Sequence, residues 1–170
     1  MAKVGVVTDS TACIPKGLAK DLNICVIPLT YVFEDSVLID DANLDMNDFY
    51  RRLKDTEKLP TTSAASPGAY VEAFKTLAPQ VEGIICITVA SKFSAMFRIA
   101  TIAKQIALNE IFDIEIHVMD SGSAAMAQGF VALAAARAAA RGEPLNEVIR
   151  TADEIKARVK LLAVVDSLEY

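Results

Sequence analysis

Aromatic residues make up only 6% of this 170-residue chain, and lysine and arginine nowhere cluster. The first shortage removes the stacking platforms on which single-stranded nucleic acid is held. The second, with a formal net charge of -5 and a pI near 4.9, makes nucleic acid and an anionic membrane surface poor partners. Cys13, Cys25 and Cys86 are scattered, odd in number and without a C-x-x-C pair. They fit a reducing compartment and small buried apolar roles better than disulfides or a zinc site. His117 is the only histidine, within Ile-Glu-Ile-His-Val-Met, where mid-strand placement reads as structural or surface. A zinc site or a Ser-His-Asp triad lacks its second histidine or its elbow, since no G-x-S-x-G occurs. There is no G-x-G-x-x-G after the first apolar run and no G-x-x-x-x-G-K-[ST], so neither a dinucleotide site nor a P-loop is supported.

Long apolar runs are missing too. Residues 123–140 are mostly alanine but carry Gln128 and Arg137, the composition of a tightly packed helix rather than a membrane span. The N-terminus has no charged region followed by a long apolar core. The expectation is a cytoplasmic protein without stable membrane insertion. Glu34, Asp35, Asp40, Asp41, Asp45 and Asp48 form a diffuse acidic group whose spacing fits no EF-hand loop, so a solvated face is expected and no metal.

What is present is 53% hydrophobic residues, enough for one full-sized core. Apolar, often β-branched runs at 3–8, 24–30, 83–89, 114–119 and 161–165 read as strands. Pro28 marks an edge or an end of the second. A hairpin-like excursion is expected around Glu34-Asp35-Ser36. A helix follows from Met46 to Lys54, capped by Asp45 and burying Phe49, Leu53 and Met46. Further helices start near Pro67, Ser94, Ser123 and Pro144. Strands alternating with helices imply an α/β fold, a mostly parallel sheet with helices on both faces.

Such a sheet puts the C-terminal ends of its strands along one edge, where ligands of these folds sit. Asp9-Ser10, Ser91 with Ser94, and Asp120-Ser121 each lie just after a predicted strand. Residues 59–67, Leu-Pro-Thr-Thr-Ser-Ala-Ala-Ser-Pro, form an uncharged hydroxyl loop between two prolines, with Ser66 and Pro67 as N-cap and first position of the next helix. Two readings stay open. These serines and aspartates cap the helices that follow, or four hydroxyl-bearing segments converge on an anionic head group. No general base stands among them, which points to binding rather than turnover.

In this order and spacing, five stretches resemble the N-terminal domain of DegV-family proteins, the bacterial fatty-acid-binding proteins. Val6-Val7-Thr8-Asp9-Ser10-Thr11 resembles the family's opening strand and T-D-S-T turn, and Val26-Ile27-Pro28-Leu29 its second strand. Thr61-Thr62-Ser63-Ala64-Ala65-Ser66-Pro67 resembles T-S-Q-P-S. Ile87-Thr88-Val89-Ala90-Ser91-Lys92-Phe93-Ser94 is similar to the strand leading into L-S-G-T, and Val118-Met119-Asp120-Ser121 to V-I-D-S. The resemblance implies a Rossmann-like sandwich and a non-catalytic carrier with no cofactor. It would bind one long-chain fatty acid and present the carboxylate to a separate fatty acid kinase. By motif position the carboxylate contacts fall to Thr62 or Ser63 and to Ser94, with Asp9, Ser10, Ser91, Asp120 and Ser121 at the edge of the site. Ala64-Ala65 stand where the family has Gln-Pro, and Ala95-Met96 where it has Gly-Thr, so one expected hydroxyl is lost. Residues 1–165 correspond to the family's N-terminal domain, and 166–170 resemble the entry to a C-terminal domain that contributes further contacts. The alternatives are a component of an α/β phosphotransfer-type enzyme using His117, or a degenerate regulatory half-domain.

Overall fold

The computed structural model describes residues 4–41, 43–110 and 114–165. The opening apolar run becomes β1 (Val4–Asp9), buried at every position. A 3-10 turn (Ser10–Ala12) leads into the short helix α1 (Lys16–Asp21), closed by Asn23 in the left-handed region at φ 51°. The next strand, β2 (Ile24–Ile27), stops where Pro28 has no N–H to give to a ladder. The chain then leaves the sheet through β3 (Thr30–Val32), β4 (Val37–Ile39), α2 (Met46–Asp55) and β5 (Thr61–Ser63). It returns with α3 (Pro67–Leu77), β6 (Gly83–Thr88), α4 (Met96–Leu108), β7 (Glu115–Asp120), α5 (Ala125–Ala140) and α6 (Leu145–Arg158).

Two sheets result. The larger is wholly parallel, in the order β2-β1-β6-β7, and β2 is an edge strand as Pro28 implied. Its two faces carry two apolar clusters. One holds Val6, Ile85 and Ile87 against alanines of α5, with Val148 and Ala152 of α6 and Ala19 of α1. The other holds Val7, Ile84 and Cys86 against Tyr70 and Phe74 of α3 and Ala100, Ala103 and Ala107 of α4. Small side chains let α5 lie close to the sheet and to α6, and Gly142 at φ 79° ends it. The expected sandwich is therefore present.

The smaller sheet is antiparallel, in the order β4-β3-β5. Its β3–β4 half is the expected hairpin. Its third strand corrects the reading of 59–67 as loop throughout, because Thr61–Ser63 pairs with β3. That segment has no apolar alternation, and only its partner makes it a strand. Asp45 caps α2 and Phe49 is buried as expected, but Met46 is 40% exposed. Residues 161–165 form no strand. Among the described residues no strand pairs with them, and an isolated strand has no ladder to stabilise it.

Candidate functional site

The polar residues at the ends of β1, β6 and β7 are tied into one another. Asp9, fully buried, accepts at Oδ2 from the Val89 N–H at 2.8 Å. At Oδ1 it accepts from Gln128 Nε2 at 3.0 Å, from the Thr11 N–H at 3.2 Å and from the Thr11 hydroxyl. Gln128 reaches across from α5 and also donates to Thr8 Oγ1 at 3.1 Å, while Thr8 Oγ1 donates to the Ile87 carbonyl at 2.8 Å. A buried carboxylate is costly unless its lone pairs are filled. Here amide and hydroxyl donors fill them. α5 approaches this turn so closely that a Cβ on Gly129 would stand 2.5 Å from the Ala12 carbonyl oxygen, so only glycine fits.

The turn after β6 is held at three successive N–H groups. Val89 N–H goes to Asp9, Ala90 N–H to the Ser123 carbonyl at 2.8 Å, and Ser91 N–H to Asp120 Oδ2 at 3.2 Å. Asp120 Oδ1 accepts from the Gly122 N–H at 2.8 Å. Burial raises the Asp120 pKa, but the hydrogen bonds from Ser91 and Gly122, with the charge of Lys156, outweigh it and leave the carboxyl below its ordinary range. Ser121 accepts at Oγ from the Ser123 N–H and donates to the Ser123 carbonyl. These residues therefore brace the edge. Ser94 closes the turn, its N–H on the Ala90 carbonyl at 3.2 Å. Its half-buried Oγ accepts from the Met96 N–H at 3.3 Å, which leaves the hydroxyl proton to donate.

The other expected contacts lie on the smaller sheet. Thr62 pairs with Tyr31 and Ser63 with Thr30, and both are exposed. Ser63 Oγ donates to the Ala64 carbonyl at 3.4 Å. Among the described residues no hydrogen bond joins β5 to the strand-end turns. The connection is made instead by Ser10, whose Oγ accepts from the Leu29 N–H at 3.1 Å, one residue before β3. So the structure joins Asp9, Ser91, Asp120 and Ser121 by hydrogen bonds, links Ser10 to the excursion, and places Thr62 and Ser63 on a separate sheet.

A family model described as "uncharacterised protein, DegV family" matches residues 3–170. The chain belongs to the DegV family. A DegV domain-containing protein of Caldanaerobacter subterraneus subsp. tengcongensis is 34% identical over 170 residues, which is all of this chain and 59% of that protein. The chain thus spans about six-tenths of the length of the curated relatives it matches. Among solved structures it resembles DegV of Bacillus subtilis, described as a fatty acid binding protein. The TM-score is 0.83 at 32% identity, over 92% of this chain and 55% of that one. It also resembles a stearic acid-binding protein of Eubacterium ventriosum, with a TM-score of 0.79 at 25% identity, over 90% and 52% of the two chains.

Where this DegV chain departs from the family pattern, two of the four replacements point inward, while Ala64 is half-buried and Ala95 exposed. Ala65 is buried, and Met96 is fully buried, its sulfur accepting from the Tyr70 hydroxyl at 3.5 Å. Ala65, Tyr70 and Met96 belong to one apolar cluster. The methionine takes the place of a hydroxyl in the core under the Ser94 turn. His117 lies mid-strand, opposite Ile85, and its charged neighbours Lys104, Asp153, Glu115 and Lys156 come from β7, α4 and α6 rather than from β5. Burial, then Lys104, pushes its imidazole below the usual value.

Burial pushes the Cys86 and Cys25 thiols up, away from reactive thiolates. Cys13 is exposed, against expectation, at φ 51° beside the 3-10 turn, and burial with Asp40 and Asp9 also raises its thiol. Of the acidic group, Asp45 caps α2, Asp48 pairs with Arg51, Asp35 with Arg52 and Glu34 with Lys58. No set of acids, histidines and cysteines among the described residues is arranged to hold a metal ion. No described helix is long and apolar enough to cross a membrane. The residue that sequence reasoning missed is Gln128. Its signal was an amide isolated in a run of alanines.

Proposed function

We propose that this protein is a cytoplasmic carrier that binds one long-chain fatty acid and presents its carboxylate to a separate kinase, without catalysing a reaction itself. Thr62 or Ser63 and Ser94 hold the carboxylate. The second wall of the site comes from a further domain of the family, since the matched part is about six-tenths of the relatives' length. The observation that carries this reading is the Ser94 hydroxyl, whose oxygen accepts from Met96 and whose proton is left to donate. Neutral hydroxyl donors bind a carboxylate without a cation beside it, so the oxygen keeps the electron density that attack on a phosphoryl donor requires. Affinity comes from the tail, at about 0.8 kcal/mol for each buried CH₂.

Native mass spectrometry of protein expressed from its complete reading frame tests this. The expected result is a single adduct with the mass of a long-chain fatty acid, lost in the double variant Thr62→Ala, Ser94→Ala while thermal stability changes little. A preparation with no adduct, and no uptake from a mixture of long-chain fatty acids, overturns it.

A further inference from the structure

Two adjacent residues connect the two hydroxyl-bearing segments. Asp9 Oδ2 takes the Val89 N–H, at the root of the turn that ends in Ser94. Ser10 Oγ takes the Leu29 N–H, directly before Thr30, the residue that pairs with Ser63. Pro28 has no N–H, so Leu29 carries the first backbone donor after β2, and Ser10 receives it. Asp9 is itself fixed by Gln128 and Thr11, so neither residue can shift alone. Along the chain the two segments lie on different sheets with more than one turn between them. Through Asp9-Ser10, Val89 and Leu29 are joined by two hydrogen bonds and a single peptide link, and the β3–β5 ladder carries the connection on to Ser63.

We propose that Asp9 and Ser10 are positioning residues that hold the Ser94 turn and the Thr62 strand at the separation a carboxylate needs, without touching the ligand. This rests on the carrier reading above. Both side chains have their acceptor oxygens on protein N–H groups, and a carboxylate at position 9 would repel an acid head group rather than bind it. For Asp9 that leaves orientation; the Ser10 hydroxyl, like that of Ser94, keeps its proton, and the Thr62 cycle below separates a role through the strand from a contact with the ligand.

The test is a double-mutant cycle on protein from the complete reading frame, with stearic acid and a panel of other long-chain fatty acids displacing a fluorescent fatty acid. Ser10→Ala removes the acceptor for Leu29 and should weaken binding about five- to tenfold, the worth of one lost hydrogen bond. Ser10→Thr keeps a hydroxyl and should restore most of it. If Ser10 acts through the Thr62 strand, Ser10→Ala should add no further loss in a Thr62→Ala background. Wild-type affinity in Ser10→Ala overturns the proposal, and so does an equal loss with and without Thr62. Asp9→Asn turns one acceptor oxygen into a donor amide and should weaken binding as Ser10→Ala does; should it fail to fold, the Ser10 cycle decides alone. A wild-type protein that binds no fatty acid overturns the carrier reading first, and that failure is visible before any variant is compared.

Discussion

The two sheets differ in almost everything but proximity. In β1 and β6 every residue is buried, and acceptors from β1, from β7 and from the loop after β7 hold the turn beyond β6. In β5 every residue is exposed, and its partner β3 has no fully buried position. What supports the excursion is a small aromatic group around Phe49, with Tyr31 at 4.6 Å, Tyr50 at 5.6 Å and Phe33 at 5.9 Å between ring centroids. Arg52 lies 4.5 Å above the Phe33 ring and pairs with Asp35. Burial and Asp40 push the Tyr31 hydroxyl up to about 12, so it stays a donor to Asp40 at any working pH. One half of the candidate site is thus built on a stiff frame and the other on a thin one. The frame fixes where the Ser94 hydroxyl stands.

Substitutions can break this contrast. The largest effect is expected from Phe74→Ala, a fully buried ring between α3 and the sheet. It should cost about 3–5 kcal/mol and lower the whole unfolding transition. Circular dichroism follows it, because the chain has no tryptophan. Phe49→Ala should fall at the low end of the same range but act locally. Amide exchange in β3 and β5 should quicken while β1 and β6 stay protected. Equal loss of protection in β6 would show that the two sheets unfold as one unit. The caps repeat the comparison on a smaller scale. Asp45→Ala and Ser66→Ala each remove an N-cap, from α2 and α3, at about 1 kcal/mol. Ser66→Ala should appear in global stability and Asp45→Ala in exchange at the excursion.

The smallest effect is acid dependence at the frame. The Asp120 carboxyl titrates lower in the folded state than in the unfolded one. Its contribution is therefore complete above about pH 4, the unfolded value, and is lost as pH falls through the lower folded one. Asp120→Asn should flatten that part of the acid limb by lowering stability at neutral pH, so that variant and wild type converge in acid. A wild-type acid limb that Asp120→Asn leaves untouched would remove Asp120 from the frame.

Much of the fold was legible because its core strands are β-branched runs and its helices begin at recognisable caps. Ser66 and Pro67 start α3 where the residue types require, and Phe49 faces inward by helical spacing. The failures share a cause. Thr61–Ser63 is a strand only because β3 pairs with it, and 161–165 is not one because none of the described strands does. Pairing is a property of the partner, which a local reading does not contain. The site was legible as motifs but not as roles. Asp9, Ser91 and Asp120 brace, Ser94 keeps a proton to donate, and the amide that locks Asp9 comes from Gln128, 119 residues away.

The sheet order has a consequence for how the chain is made. β1 lies in the middle, yet its neighbour β6 follows only after the whole excursion, and the Thr8–Ile87 and Asp9–Val89 bonds span 79 and 80 residues. At about 5–20 residues per second on the ribosome, β1 waits several seconds for that neighbour. Gln128 comes later still. A mispaired β1 would bury the Asp9 carboxylate with no donors waiting, a penalty of several kcal/mol that the correct register alone avoids. The acid at the C-terminal end of the central strand thus favours the register in which its donors are in place.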